Sequence, residues 1–245
     1  NALHGQFGED GYIQTILDRF KIPYTHSNAT ASSIAMDKEM SKKLFIKNKI
    51  KTPKFFTYSY DITKSNLIKK INKNLRFPVV IKPLNEGSSV NVYISSKKTL
   101  DKILYKLKVY KKVLIEEFIG GREIQVAIMG DKKLGAIELK PKRKFYDYQA
   151  KYDSKSKTQH IIPVDLPKSK FNKVMDIAYK AHKIIGCRGV TRSDFKFFNG
   201  NFYLLELNTQ PGMTKLSLVP EIALYRGISF LKLIEWMLKD ASKKK

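Results

Sequence analysis

Residues 190 to 214 leave this chain few ways to fold. Val190 to Phe198 alternates in polarity, Asn199-Gly200-Asn201 interrupts, and Phe202 to Leu207 resumes before Asn208-Thr209-Gln210-Pro211-Gly212-Met213-Thr214. Extended segments on either side of an Asn-Gly pair predict a β-hairpin, because those residues tolerate the positive φ of tight turns. Register then decides the chemistry. With a two-residue turn, Asp194 pairs with Leu205, and Asp194 and Glu206 land on opposite faces. With a three-residue turn (Asn199 to Asn201, Gly200 or Asn201 left-handed), Asp194 pairs with Glu206 and Arg192 with Asn208. Glu206 and Asn208, two apart, share a face. Carboxylates beside an amide carbonyl suit a hard cation such as Mg²⁺, which takes oxygen ligands and a nucleotide's phosphates. The three-residue turn is expected, because it alone builds such a site. The competing reading is a strand end whose polar residues face water.

At 245 residues the chain can bury a substantial core, in one large domain or two to three small ones. No apolar run approaches a membrane span and no signal-peptide pattern opens the chain. Cys187 is the single cysteine, which excludes an internal disulfide framework and a Cys-based zinc site and fits a reducing compartment. Charge is the unusual feature: 47 basic against 22 acidic residues give +25. That is either a nucleic-acid footprint or diffuse lysine enrichment with an anionic substrate. The distribution favours the second. Only seven of the 47 are Arg, clustering is confined to the Lys243–Lys245 tail and short runs such as Lys140 to Lys144, and no nucleic-acid-binding motif accompanies them.

In chain order, His4-Gly5-Gln6-Phe7-Gly8-Glu9-Asp10-Gly11 is a glycine-rich turn. Tyr12, Ile13, Ile16, Leu17 and Phe20 at helical spacing predict an amphipathic helix, and Lys21 to Tyr24 a short strand. Asp37 caps a helix over Lys38 to Asn48 with Met40, Leu44 and Phe45 on one side. Lys38 in its first turn opposes the helix dipole unless an anion sits there. Phe77 to Pro83 is a buried strand ending in Lys82-Pro83, and Asn85-Glu86-Gly87-Ser88-Ser89-Val90 can wrap N–H groups and hydroxyls around an anion. It is no Walker loop, since another strand, Asn91 to Ser95, follows instead of a helix. A helix over Leu100 to Leu107, a strand over Val113 to Ile119 and a hairpin turning at Gly130-Asp131 come next. Residues 140–157 carry Tyr146, Tyr148 and Tyr152 among many charges, a length of loop that suggests a lid. A helix from Lys168 to Ile185 ends at the C-cap Gly186, and two helical stretches close the chain, the last over Ile228 to Leu238.

Together these stretches resemble the D-alanine–D-alanine ligases of the ATP-grasp superfamily. The likeness is carried by His4-Gly5…Gly8-Glu9-Asp10-Gly11, Met36-Asp37-Lys38, Ile81-Lys82-Pro83, Glu86-Gly87-Ser88-Ser89-Val90, Phe145 to Tyr152, Arg192-Ser193-Asp194, Glu206 to Thr214 and Ser217-Leu218-Val219-Pro220, in the family's order. The resemblance implies an α/β chain, more narrowly an α+β ATP-grasp fold. Residues 1–27 would be the remnant of an N-terminal α/β domain, 28–119 a central subdomain, and 120–245 a C-terminal subdomain with the lid 140–157. It implies a reaction as well. ATP phosphorylates one D-alanine's carboxylate, a second D-alanine's amine attacks the acyl phosphate, and phosphate leaves, giving the dipeptide for peptidoglycan precursors in the cytoplasm.

By the same resemblance Asp194, Glu206 and Asn208 hold two Mg²⁺ ions, or Mn²⁺ in their place. Lys38, Lys82 and Lys151 contact phosphates, with Asn208 and Phe145 also at the nucleotide. Glu116, Glu117, Phe118 and Ile119 form the adenine edge, and Glu123 binds the ribose. Arg192 and the Gly212 N–H face the developing oxyanion. Ser88, Tyr152 and Ser217 belong to the catalytic set, while His4, Tyr146, Ser217 and Leu218 meet substrate. A neutral Tyr152 hydrogen-bonded to Ser88 fits an amine nucleophile, where relatives making D-alanyl-D-lactate commonly carry a His. The alternatives are a D-lactate or D-serine ligase, another ATP-grasp carboxylate–amine ligase, and, more remotely, a non-catalytic basic nucleotide- or nucleic-acid-binding protein. A homodimer is also implied. Lys215-Leu216 departs from the small residue and His usual there. The family's opening glycine-rich loop and the Glu gripping the first D-alanine's ammonium fall before residue 1. These 245 residues alone are therefore expected to bind ATP but to ligate D-alanine poorly.

Overall fold

The computed structural model describes residues 1–87, 90–140, 158–214 and 217–243. Two antiparallel sheets line opposite walls of one cleft. The first contains β1 (Phe55–Ser59), β2 (Val79–Pro83), β3 (Tyr93–Ser95) and β4 (Lys112–Glu117), in the order β1-β4-β2-β3. The second contains β5 (Arg122–Met129), β6 (Lys132–Lys140), β7 (Gln159–Ile161), β8 (Val190–Phe198) and β9 (Asn201–Asn208), in the order β7-β6-β5-β8-β9.

The period of two sorts each strand between a core and the cleft. Val79, Ile81, Val113 and Ile115 pack under the helices Lys64–Asn74 and Leu100–Leu107, through Leu67, Ile71, Leu100 and Leu104. The alternate residues of the same strands, Val80, Lys82 and Glu116, line the cleft. In the second sheet Ile124, Val126, Phe195, Phe202 and Leu204 pack on the long helix Lys168–Ile185. That sheet's other face is divided along its length. Ala127, Met129 and Val190 lie under the closing helices Leu218–Tyr225 and Phe230–Ala241, whereas Glu123, Asp194 and Lys196 look into the cleft. Gly135 allows the closing helix its approach, because a Cβ there would stand 2.7 Å from Ile222 Cγ2.

Three expectations are corrected by packing. Helices Ala29–Met36 and Lys38–Lys47, expected with the first sheet, place Ala31, Ala35 and Phe45 in the core of the second. No strand forms over Lys21 to Tyr24; Lys21 has φ 55° and turns the chain back beneath the preceding helix, Tyr12–Arg19. Of that helix's apolar spacing, Tyr12 and Ile16 are on the surface, as is Phe20 just after it.

The hairpin reaches the expected pairing by another route. Asp194 does oppose Glu206, and Arg192 opposes Asn208. The turn, however, has two residues: Phe198 pairs with Asn201, and both Asn199 (φ 46°) and Gly200 (φ 72°) are left-handed, the type I′ arrangement that matches strand twist. A β-bulge between the Asp194 and Phe195 pairings leaves Leu205 without a counterpart and moves Glu206 opposite Asp194. Burial records the switch, with Phe202, Leu204 and then Leu207 in the core. Because a branched side chain at positive φ is strained, Asn199→Val should cost about 1–2 kcal/mol. Asn201→Val, in extended strand, should cost under about 0.5 kcal/mol. Chemical denaturation reads both; equal effects would contradict the two-residue turn.

Candidate functional site

The cleft is built on a helix whose buried stripe is polar. Asp37 caps it by accepting from the Met40 N–H at 2.9 Å. Lys38, Ser41, Lys42 and Phe45, at spacings of three and four, are its buried residues, while Met40 is 53% exposed. The expected apolar side at Met40 is thus replaced by lysines, because carboxylates wait for them inside. Lys38 Nζ donates to the Glu86 carbonyl at 2.5 Å and lies 3.7 Å from Glu206 Oε2, joining the loop after β2 to the end of β9. One turn on, Lys42 Nζ stands 2.9 Å from Glu116 Oε2 and donates to Thr52 Oγ1 at 2.7 Å. Lys82 Nζ reaches the other oxygen, Glu116 Oε1, at 2.5 Å.

This triad is electrostatic before it is anything else. Burying an ammonium costs several kcal/mol, which one ordinary hydrogen bond of about 1 kcal/mol does not offset. Burial pushes the Lys42 ammonium down to about 8, against the pull of Glu116. Burial alone would push the Glu116 carboxyl up, but Lys42 and Lys82 together outweigh it and hold it below the usual carboxylate range. Expected at the adenine edge, Glu116 therefore directs its side chain to two lysines. Glu117, Phe118 and Ile119, where the chain passes from β4 toward β5, do line the cleft.

On the opposite wall Arg192 grips Asp194 through Nε and a terminal nitrogen, at 2.8 and 3.0 Å. Lys196 Nζ donates to Glu123 Oε2 at 2.9 Å. Asn208 Oδ1 accepts the Gln210 N–H at 2.8 Å and so fixes the turn into Pro211-Gly212. Among the described residues no group of three or more His, Cys, Asp or Glu is placed to hold a metal. The donors available at the β8–β9 end are two carboxylates paired across the ladder and an amide two residues on. That oxygen-only set fits Mg²⁺, which is usually held by one or two carboxylates together with substrate phosphates.

The remaining expected residues lie at the ends of the cleft or beyond it. His4 Nδ1 is 3.3 Å from Glu9 Oε1, and Glu9 Oε2 accepts the Gly5 N–H at 2.7 Å. Glu9 also abuts Gly87 in the loop after β2, where a Cβ would meet its Oε2 at 3.3 Å. Ser217 Oγ accepts the Thr214 N–H at 3.0 Å and lies 2.9 Å from where a Cβ on Gly212 would be, so both shape one tight turn. Leu218, the first residue of the helix Leu218–Tyr225, buries its side chain in the core, which leaves its backbone for any substrate contact. Ser88, Phe145, Tyr146, Lys151 and Tyr152, with the rest of the lid, lie outside the described residues. Five cleft-building residues carry no site role in the sequence reading: Lys42, Val80, Val92, Lys196 and Leu205. Lys42 had a legible signal, standing four residues after Lys38 and three before Phe45 on one helical stripe.

Comparison with known proteins adds the following. The family model described as "D-ala D-ala ligase C-terminus" matches residues 44–239. A D-alanine–D-alanine ligase of Pelagibacter ubique is 71% identical over 242 residues, covering 99% of this chain and 80% of the relative. One from Wolbachia pipientis wMel is 42% identical, covering 98% and 76%. The crystal structure of D-alanine–D-alanine ligase from Bacillus anthracis complexed with ATP superposes with a TM-score of 0.83 at 31% identity, covering 98% of this chain and 77% of that one.

Glu116→Gln would leave two buried ammonium groups without their carboxylate, and should destabilise the chain by about 3–5 kcal/mol. Urea denaturation near pH 7 measures this, and an unchanged midpoint would show that Glu116 does not hold the two lysines in the fold.

Proposed function

The chain belongs to the D-alanine–D-alanine ligase family, and from that membership we propose how its own side chains divide the work of ATP-dependent ligation of two D-alanines. ATP occupies the cleft between the sheets. Glu117, Phe118 and Ile119 form the adenine edge. Glu123 takes the ribose hydroxyls and is kept in place by Lys196, 2.9 Å away. Lys38 and Lys82, each 7% exposed at the side chain, meet the phosphates. Their charges act with little screening, because water is largely excluded there.

Asp194, Glu206 and Asn208 would hold two Mg²⁺ ions, or Mn²⁺. When bound, such ions neutralise the phosphate oxygens during transfer. The carboxylate of one D-alanine attacks the terminal phosphorus and ADP leaves. The amine of the second then attacks the acyl carbon, and the C–O bond to phosphate breaks. Arg192 and the Gly212 N–H face the oxygen that becomes negative in that step. His4 on one side, and Ser217 with the Leu218 backbone on the other, flank the two amino acids. Ser88 and Tyr152 would orient the attacking amine, and Lys151, Phe145 and Tyr146 would close over the nucleotide and substrate.

The observation carrying this reading is the pairing of Asp194 with Glu206 opposite the buried Lys38–Lys82 wall, which brings paired carboxylates and lysines to one cleft and supports cations at the first and phosphates at the second. We take residues 28–119 and 120–245 as its two subdomains and 1–27 as part of an N-terminal unit, although helices from the first range pack on the second sheet. Use of ATP supports a place in the cytoplasm. Among the described residues no helix is long and apolar enough to cross a membrane. Homodimeric assembly is carried over from the family resemblance.

The test is phosphate release from Mg-ATP. It should depend on D-alanine, and Asp194→Asn should lower it roughly a hundredfold or more. D-Lactate in place of the second D-alanine should be used poorly. Phosphate release indifferent to D-alanine would sink the reading.

A further inference from the structure

Glu116 differs from the other carboxylates of the cleft in being shared by two ammonium groups. Lys82 takes Oε1 at 2.5 Å and Lys42 lies 2.9 Å from Oε2. All three side chains are sealed, at 7%, 0% and 3% exposure for Lys82, Lys42 and Glu116. Lys82 and Glu116 line the cleft, whereas Lys42 comes from the helix behind them, with the Phe55 ring 5.6 Å from its Nζ. Lys42 is therefore too deep to touch a nucleotide in this arrangement, yet it is a charged group in a place where an apolar side chain would be easier to bury.

Counting charge gives it a purpose. One ammonium and one carboxylate make a neutral pair, in which Glu116 would cancel Lys82. Two ammonium groups on the same carboxylate leave one net positive charge, and only Lys82 among them borders the cleft. We propose that Lys42 is a positioning residue for the nucleotide: by occupying Glu116 Oε2 from behind, it leaves Lys82 a net positive charge directed at the phosphates. This deepens the ATP reading above and rests on it. Thr52 Oγ1, at 2.7 Å, fixes Lys42 from its other side, so the arrangement is set before any ligand arrives.

The test separates a charge role from a packing role. Lys42→Met keeps the volume and leaves a neutral Glu116–Lys82 pair, so stability should hold or rise. Its Kd for Mg-ATP, titrated without D-alanine, should rise roughly tenfold or more, while that for adenosine, which has no phosphates, should stay within about twofold. Adding Glu116→Gln removes the second charge and frees Lys82 again. The double variant should then bind ATP within about threefold of the unsubstituted protein, an interaction that additive packing defects would not produce. Equal ATP affinity in Lys42→Met, parallel losses for ATP and adenosine, or no recovery in the double variant would each overturn the role of Lys42. Should Lys42→Met fail to fold, Lys42→Gln, which removes the charge but can still hydrogen-bond Thr52 Oγ1, decides alone: ATP affinity within about twofold of the unsubstituted protein refutes the proposal. An unsubstituted protein that binds no ATP would instead overturn the nucleotide reading, and this inference with it.

Discussion

A strand that lays Phe202 and Leu204 into a core must, by its period of two, lay residue 206 there as well. Here residue 206 is a glutamate whose use lies on the other face. The bulge at Leu205 resolves the conflict by taking one residue out of the ladder. Glu206 then comes opposite Asp194, and Leu207 returns to the core. The cleft's acidic rim depends on that single irregularity, and so does the placement of Asn208 and the turn through Pro211-Gly212 that follows it. Leu205, the residue displaced, becomes part of the cleft wall.

Opposite this rim the design problem is reversed, because cations have to be held near a core, where each needs a counter-ion. The helix Lys38–Lys47 brings Lys38 and Lys42 to one face, a turn apart. Lys38 is tied to the carbonyl of Glu86, so the helix and the start of the loop after β2 are held together. Glu116 anchors Lys82 and Lys42 from the neighbouring strand, diagonal to Lys82 in the β2–β4 register. The second sheet carries one-to-one pairs instead, Arg192–Asp194 and Lys196–Glu123. Charges paired in this way are oriented by the fold itself. The overall charge of +25 has little to do with this; a few buried lysines do the electrostatic work, and the many exposed ones set solubility and the long-range field.

Much was legible in the residues themselves. Alternation and helical spacing located the long helix Lys168–Ile185, with Gly186 left-handed at its C-cap, and both hairpins. The pairing of Asp194 with Glu206 followed from what a cation site requires, although the turn was misread as three residues. An Asn-Gly pair signals a hairpin but does not count residues, and a bulge leaves no local mark distinguishing Leu205 from any other strand residue. The face of the helix after Asp37 was misread for a related reason. Apolar spacing pointed to Met40, Leu44 and Phe45; Phe45 is in the core and Leu44 packs against it, but the stripe also carries Lys38 and Lys42, and Met40 is on the surface.

The sequence by itself determined the long helix, the two hairpins, the residue types at the cleft and, through its motifs, the family. Those are properties of neighbours along the chain: periodicity, caps, turns and short patterns. Tertiary structure decided which residues share a charge. Lys42, Lys82 and Glu116 come from three elements, and nothing local to any of them says that one carboxylate will serve two lysines. Burial makes the difference, because an ion's cost and its partners are set by what surrounds it in space. The same holds for the helices after Asn28, whose core lies in a sheet that the chain reaches only many residues later.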